Sequence, residues 1–148
     1  MPYTPPLPGQ RITPALLAGL SAPWAPYTAT LTGTTIGNGS LVTRYQQAAS
    51  RIVVAWTLNW GSTTSGNMPV ISLPVPPASL GGMRWSGDVT ISRGTGAWRA
   101  GSAYLADNSN SIATYALTTA AEITSSLTTA GITMQSGGWI QGNIEYEM

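Results

Sequence analysis

From Arg51 to Trp60 the chain alternates without a break: Ile52, Val54, Trp56, Leu58 and Trp60 fall on one side, and Arg51, Val53, Ala55, Thr57 and Asn59 on the other. A period of two sustained over ten residues predicts a strand with one face in a core. The preceding run Leu41-Val-Thr-Arg-Tyr-Gln46 puts Leu41, Thr43 and Tyr45 on one face, so a hairpin across Gln47 to Ser50 is expected. The end of the chain repeats the pattern, with Ile140, Gly142, Ile144 and Tyr146 on one side and Gln141, Asn143, Glu145 and Glu147 on the other. Between these lie Val70 to Leu73, Asp88 to Arg93, Ala97 to Ala106 and Ser111 to Leu117, short runs rich in β-branched and aromatic residues. Glycine, asparagine and serine separate them. Gly61 to Asn67 reads as a loop, Asp107 to Asn110 as an exposed turn, and Gly37-Asn-Gly39 and Gly94-Thr-Gly96 as turns. Pro74, Pro76 and Pro77 place a sheet edge or corner after the Val70 strand.

The beginning follows other rules. Four prolines among the first eight residues fix φ and withhold donors, so this segment is expected to run extended as an arm. Thr13-Pro14 then reads as an N-cap and first helical position, with Leu16, Leu17 and Leu20 on one face of a short helical turn that Ala22 to Pro26 ends. The expectation is an all-β protein: residues 27–148 as one jelly-roll-like β-sandwich of about seven to nine strands, and residues 1–26 as a docking arm. Pro5, Pro6, Leu7, Ile12, Leu16, Leu17 and Leu20 are its candidate contacts with a neighbouring subunit.

Composition narrows the chemistry. The 148 residues are 43% hydrophobic but 7% charged, so Ser and Thr carry the polarity, while six Trp and six Tyr supply apolar area for a core. The chain has no His, Cys or Lys, so its six cationic side chains are all arginines. Imidazole bases, thiol nucleophiles, Schiff-base lysines and the usual zinc, copper or haem ligand sets are excluded. A net charge of +1 with scattered arginines offers no stripe for nucleic acid. Met1 to Gln10 lacks the basic and apolar regions of a secretory signal, and no run approaches the length of about 18 apolar residues for a membrane span. No nucleic-acid, membrane, metal or cofactor partner is therefore expected.

Of the acids Asp88, Asp107, Glu122, Glu145 and Glu147, Glu145 and Glu147 share a strand face about 7 Å apart, a nominal hydrolytic pair. Acids on the polar face of a terminal strand are more often solvated or paired with arginine, so a non-enzymatic protein is expected. Trp56 and Trp60 belong to the core register. Trp85, Trp98 and Trp139 are less constrained and are candidate contacts with another subunit or with a sugar ring.

The leader Pro5-Pro-Leu-Pro-Gly-Gln-Arg-Ile-Thr-Pro-Ala-Leu-Leu17 resembles the Gly-x-x-Ile-Thr-x-x-x-Leu entry segment of tail-fibre and surface proteins of tailed bacteriophages. Tyr27-Thr-Ala-Thr30, Ile36 to Tyr45, Trp60 to Thr64 and Ile71 to Val75 are similar to a β-sandwich module of phage virion proteins. The two resemblances cover roughly the first half of the chain. They imply a structural protein of the virion surface, made in the host cytoplasm, homotrimeric and fixed by its N-terminal segment to the major capsid protein or to tail or baseplate subunits. Capsid decoration is the first expectation, since the chain lacks a fibre shaft. A tail-fibre or baseplate module that binds host-surface saccharide is the alternative.

Overall fold

Alternation becomes strand throughout the computed structural model, which describes residues 22–79 and 81–148. In chain order the strands are β1 (Ala25–Pro26), β2 (Leu31–Thr35), β3 (Ser40–Ala48), β4 (Arg51–Asn59), β5 (Ser65–Ser72), β6 (Arg84–Ser92), β7 (Trp98–Ala106), β8 (Ser111–Leu117), β9 (Ile123–Thr124) and β10 (Trp139–Glu147). The described residues contain no helix, so the all-β class holds. Of the arm expected over residues 1–26, the last five residues are described and bound to the sheet, Ala25 and Pro26 pairing with Tyr45 and Arg44 and the Ala22 amide donating to the Gln47 carbonyl (3.3 Å). The proline-rich start, the helical turn and the docking residues Pro5, Pro6, Leu7, Ile12, Leu16, Leu17 and Leu20 lie outside the described residues.

Every pairing is antiparallel, and one hydrogen-bonded path runs β1-β3-β4-β10-β6-β7-β8-β5-β2, with β9 added to β8. Laid flat, the eight spacings from β1 to β2 would cover about 38 Å. Yet the five residue steps from Pro26 to Leu31 reach at most about 17 Å, so the sheet must curl until its ends approach. The hydrogen bonds follow the curl. Tyr27 donates its hydroxyl to the Ser72 carbonyl (3.2 Å), the Ser72 amide donates to the Thr30 carbonyl (3.1 Å), and the Thr30 amide donates to Ser72 Oγ (2.9 Å).

The inner face of the curl is the core. Ile52, Val54, Trp56 and Leu58 of β4 meet Ile140, Ile144 and Tyr146 of β10, Val89 and Ile91 of β6, Ala103 and Leu105 of β7, and Ile112 and Ala116 of β8. Leu127, Ala130 and Ile132, in the loop before β10, join the same cluster. That loop is tied to β5 by the Met68 amide, which donates to the Ser125 carbonyl (3.0 Å).

Three local expectations change. The β3–β4 hairpin turns on Ala49 and Ser50 alone, with Ala49 in the left-handed region at φ 51°, so the strands extend further than the four-residue link implied. The expected loop Gly61 to Asn67 gives its last three residues to β5, where Gly66 and Ser65 pair with Thr34 and Thr35. Sequence could not show this, because the pairing depends on two glycines from distant segments. Gly66 has φ 121°, and a Cβ there would stand 2.4 Å from the Gly33 carbonyl oxygen. The strand expected at Val70 to Leu73 thus begins at Ser65 and ends at Ser72. The proline segment after it leaves the sheet, as expected, and crosses toward β10, where the Ala78 amide donates to the Glu147 carbonyl (2.8 Å).

Two phenols, the buried Tyr146 and the half-buried Tyr27, make this fold sensitive to alkali. Burial pushes Tyr27 up to about 12 from 10.0. Burial also raises Tyr146 well above its usual range, as does a nearby Tyr27 phenolate, against the opposing effect of its hydrogen bond to the Val75 carbonyl (2.8 Å). Both pKa values are higher folded than unfolded, so their contribution is complete below about pH 10 and is lost as pH climbs toward 12 and beyond. With no Lys, Cys or His in the chain, tyrosines are the side chains that titrate there. The urea midpoint is expected to hold to about pH 10 and then fall, and Tyr146→Phe should flatten that fall. An unchanged slope in the variant would contradict this assignment.

Candidate functional site

The outer face of the same sheet carries the surface chemistry. Cross-strand register places Val42, Thr57, Gln141, Thr90 and Ala100 in one row across β3, β4, β10, β6 and β7, and Arg44, Ala55, Asn143, Asp88 and Ser102 in the next. Opposed residues on one face stand about 5 Å apart. Ala55 is short beside the longer Arg44, Asn143 and Gln141, and a groove of about 260 Å³ opens there, lined by Ala55, Thr57, Asp88, Thr90, Gln141 and Asn143 over the backbone of Trp56 and Gly142. Among the described residues none of the five polar side chains, Thr57, Asp88, Thr90, Gln141 and Asn143, makes a hydrogen bond or ion pair within the protein. Asn38 and Asn59 do spend theirs inside the chain, on Ser62 and Ser40.

One row further along the strands, Asn59, Trp139, Ser92 and Trp98 line up. Trp139 and Trp98 flank Ser92, and their indoles meet edge to face with centroids 5.0 Å apart and planes at 89°. Ser92 is buried beneath this arrangement although it belongs to the outer register. Trp98 remains 62% exposed. On its far side a hollow lined by Trp98, Arg99, Ala100, Leu117, Thr118 and Thr119 leads to the exposed Leu117 and Ile123, which are paired across β8 and β9.

The three tryptophans singled out in the sequence therefore separate. Trp98 and Trp139 come together on the outer face, Trp139 on the same side of β10 as Gln141 and Asn143. Trp85 takes the inner register opposite Leu105, packs on the core and meets Tyr146 edge to face at 6.4 Å. The groove residues Thr57, Asp88, Thr90, Gln141 and Asn143 were not singled out. Alternation showed that Gln141 and Asn143 face away from the core, but the placement of β10 between β4 and β6 is long-range information.

The nominal pair Glu145 and Glu147 lines one hollow with Arg51, Trp85 and Tyr146. Glu145 pairs with Arg51 at 2.8 Å, diagonal to it across β4 and β10, with both side chains substantially exposed. Asp107 accepts the Gly82 amide at 2.6 Å in the β7–β8 turn. Among the described residues no three Asp or Glu side chains come close enough to hold a metal ion, and no helix is long and apolar enough to cross a membrane. No family model, curated protein or solved structure matches this chain.

Proposed function

We propose that this chain is a non-enzymatic structural protein of a tailed-phage virion, a homotrimeric surface module that decorates and stabilises the capsid. The virion resemblance of the leader and of the segments from Tyr27 to Val75 motivates the class. The observation that carries a building-block role is the exposed apolar run Trp98, Leu117 and Ile123 on one side of the sheet. Exposed apolar groups gathered in one place mark contact surfaces. We take the curled sheet to be the jelly-roll-like sandwich of the resemblance, with residues 1–21, ahead of the sheet-bound Ala22 to Pro26, as the arm that reaches the major capsid protein. Prolines hold an extended arm near its docked shape, so less entropy is lost on binding.

Removing residues 1–20 is expected to abolish binding to capsids stripped of this protein, while the far-ultraviolet dichroism of the sheet persists. Equal occupancy by the shortened chain would overturn the docking role. A second reading, a tail-tip module that binds host-surface saccharide, is favoured by one observation, the half-open indole pair beside the polar groove.

A further inference from the structure

We infer that the groove formed by Thr57, Asp88, Thr90, Gln141 and Asn143, together with the Trp98–Trp139 pair, is a binding site for one neutral pyranose unit of a saccharide. The inference deepens the second reading and rests on it. It starts from an imbalance: five polar side chains of three kinds converge from three adjacent strands, and none is used inside the described protein. Amides offer a donor and an acceptor each, threonine hydroxyls act as either, and a carboxylate accepts from two hydroxyls. Such a mixed set matches a ring of vicinal hydroxyls, each of which both donates and accepts.

The aromatic pair supplies the apolar half of the recognition. Trp139 lies two residues before Gln141 on the same face of β10, about 7 Å along the strand. A ring seated on Gln141 and Thr90 therefore reaches the indoles. The C–H face of a pyranose can lie on Trp98, whose 62% exposure is otherwise an uncompensated apolar surface. Trp139, braced at right angles, holds that indole in place. Small residues keep the approach open, since Ala55 floors the groove and Ala100 stands opposite Thr90.

Size and charge select among sugars. At about 260 Å³ the groove falls below the range of about 300–1,000 Å³ that holds larger ligands, so a single ring fits and its neighbours in a polymer lie outside. Asp88 is the acid of the lining, and the nearest arginine, Arg44, stands on the far side of Ala55 in the adjoining hollow, away from Asp88. A uronic or sialic acid would set its carboxylate against Asp88 and is disfavoured.

The test uses the full chain labelled with nitrogen-15 and a panel of methyl glycosides: glucose, galactose, mannose, N-acetylglucosamine and glucuronic acid. At least one neutral glycoside is expected to shift the indole N–H signals of Trp98 and Trp139 and the side-chain amide signals of Gln141 and Asn143 saturably. Glucuronoside should not. Gln141→Ala and Trp98→Ala, both on the surface, should each weaken that binding at least tenfold with the remaining spectrum unchanged. Saturable shifts at other residues would overturn this site and leave the saccharide reading standing. No shift with any neutral glycoside would overturn both. Shifts of the same signals with protein concentration alone would make the face an interface between copies and overturn the inference.

Discussion

Trp56→Ala should lower the unfolding free energy by about 3–5 kcal/mol, the range for removing a large aromatic side chain from a packed interior. Trp56 is 2% exposed at the centre of β4, opposite Thr43 of β3 and Gly142 of β10. A tryptophan buries about 150–250 Å², which at about 25 cal/mol/Å² is worth about 4–6 kcal/mol. Its neighbours are held in sheet ladders on both sides and cannot collapse into the space left. Trp56→Phe should cost clearly less. The indole Nε1 finds no acceptor among the described residues, and an orphaned buried donor costs about 1–3 kcal/mol that phenylalanine would not incur. Urea unfolding followed by circular dichroism measures both variants. A loss below about 1 kcal/mol for Trp56→Ala would contradict its place at the centre of the core.

The second large effect comes from the opposite side of the same contact. A Cβ at Gly142 would stand 2.5 Å from Trp56 Cζ2 and 2.6 Å from the Asp88 carbonyl oxygen. The indole thus lies directly over a glycine in the middle strand. The Asp88 carbonyl belongs to β6, which is paired on both sides, so neither neighbour retreats easily. Gly142→Ala is expected to cost about 2–3 kcal/mol as an overpacked core. In the Trp56→Ala background the indole clash is gone and the Asp88 contact remains, so the added cost should fall by at least about 1 kcal/mol. Strict additivity of the two substitutions would show that Trp56 and Gly142 do not touch.

Alternation made the inner face legible in advance. Ile52, Val54, Trp56 and Leu58 are all buried, and so are Ile140, Ile144 and Tyr146, because a period of two follows directly from strand geometry. Pairing was legible only where it was local, as in the β3–β4 hairpin and the β7–β8 turn, where Asn108 adopts φ 59°. The central position of β10 was not legible. It joins residues more than eighty apart, such as Trp56 and Gly142, and nothing local to either strand encodes that choice. The groove inherits this, since its lining comes from β4, β6 and β10 and exists only once those three are adjacent. Trp85 was ambiguous for a related reason. It sits four residues before Val89, in phase with the buried side of β6, but Ser86 and Gly87 beside it blur the alternation.

The building-block reading and the sugar site share Trp98 and otherwise use different parts of the surface. Docking draws on residues 1–21 and the apolar run Trp98, Leu117 and Ile123, whereas the groove lies across β4, β10 and β6 and meets that run at Trp98. One protein can carry both, as a surface subunit that also touches the host, and each can fail without the other.

The central claim is that this chain is a structural component of a virion. Labelling purified phage particles with gold-conjugated antibody against the chain, after separating them from lysate on a density gradient, tests it most directly. Many gold particles per virion, spread over the head, are predicted. A chain that stays wholly in the soluble fraction, with unlabelled particles, would contradict the claim.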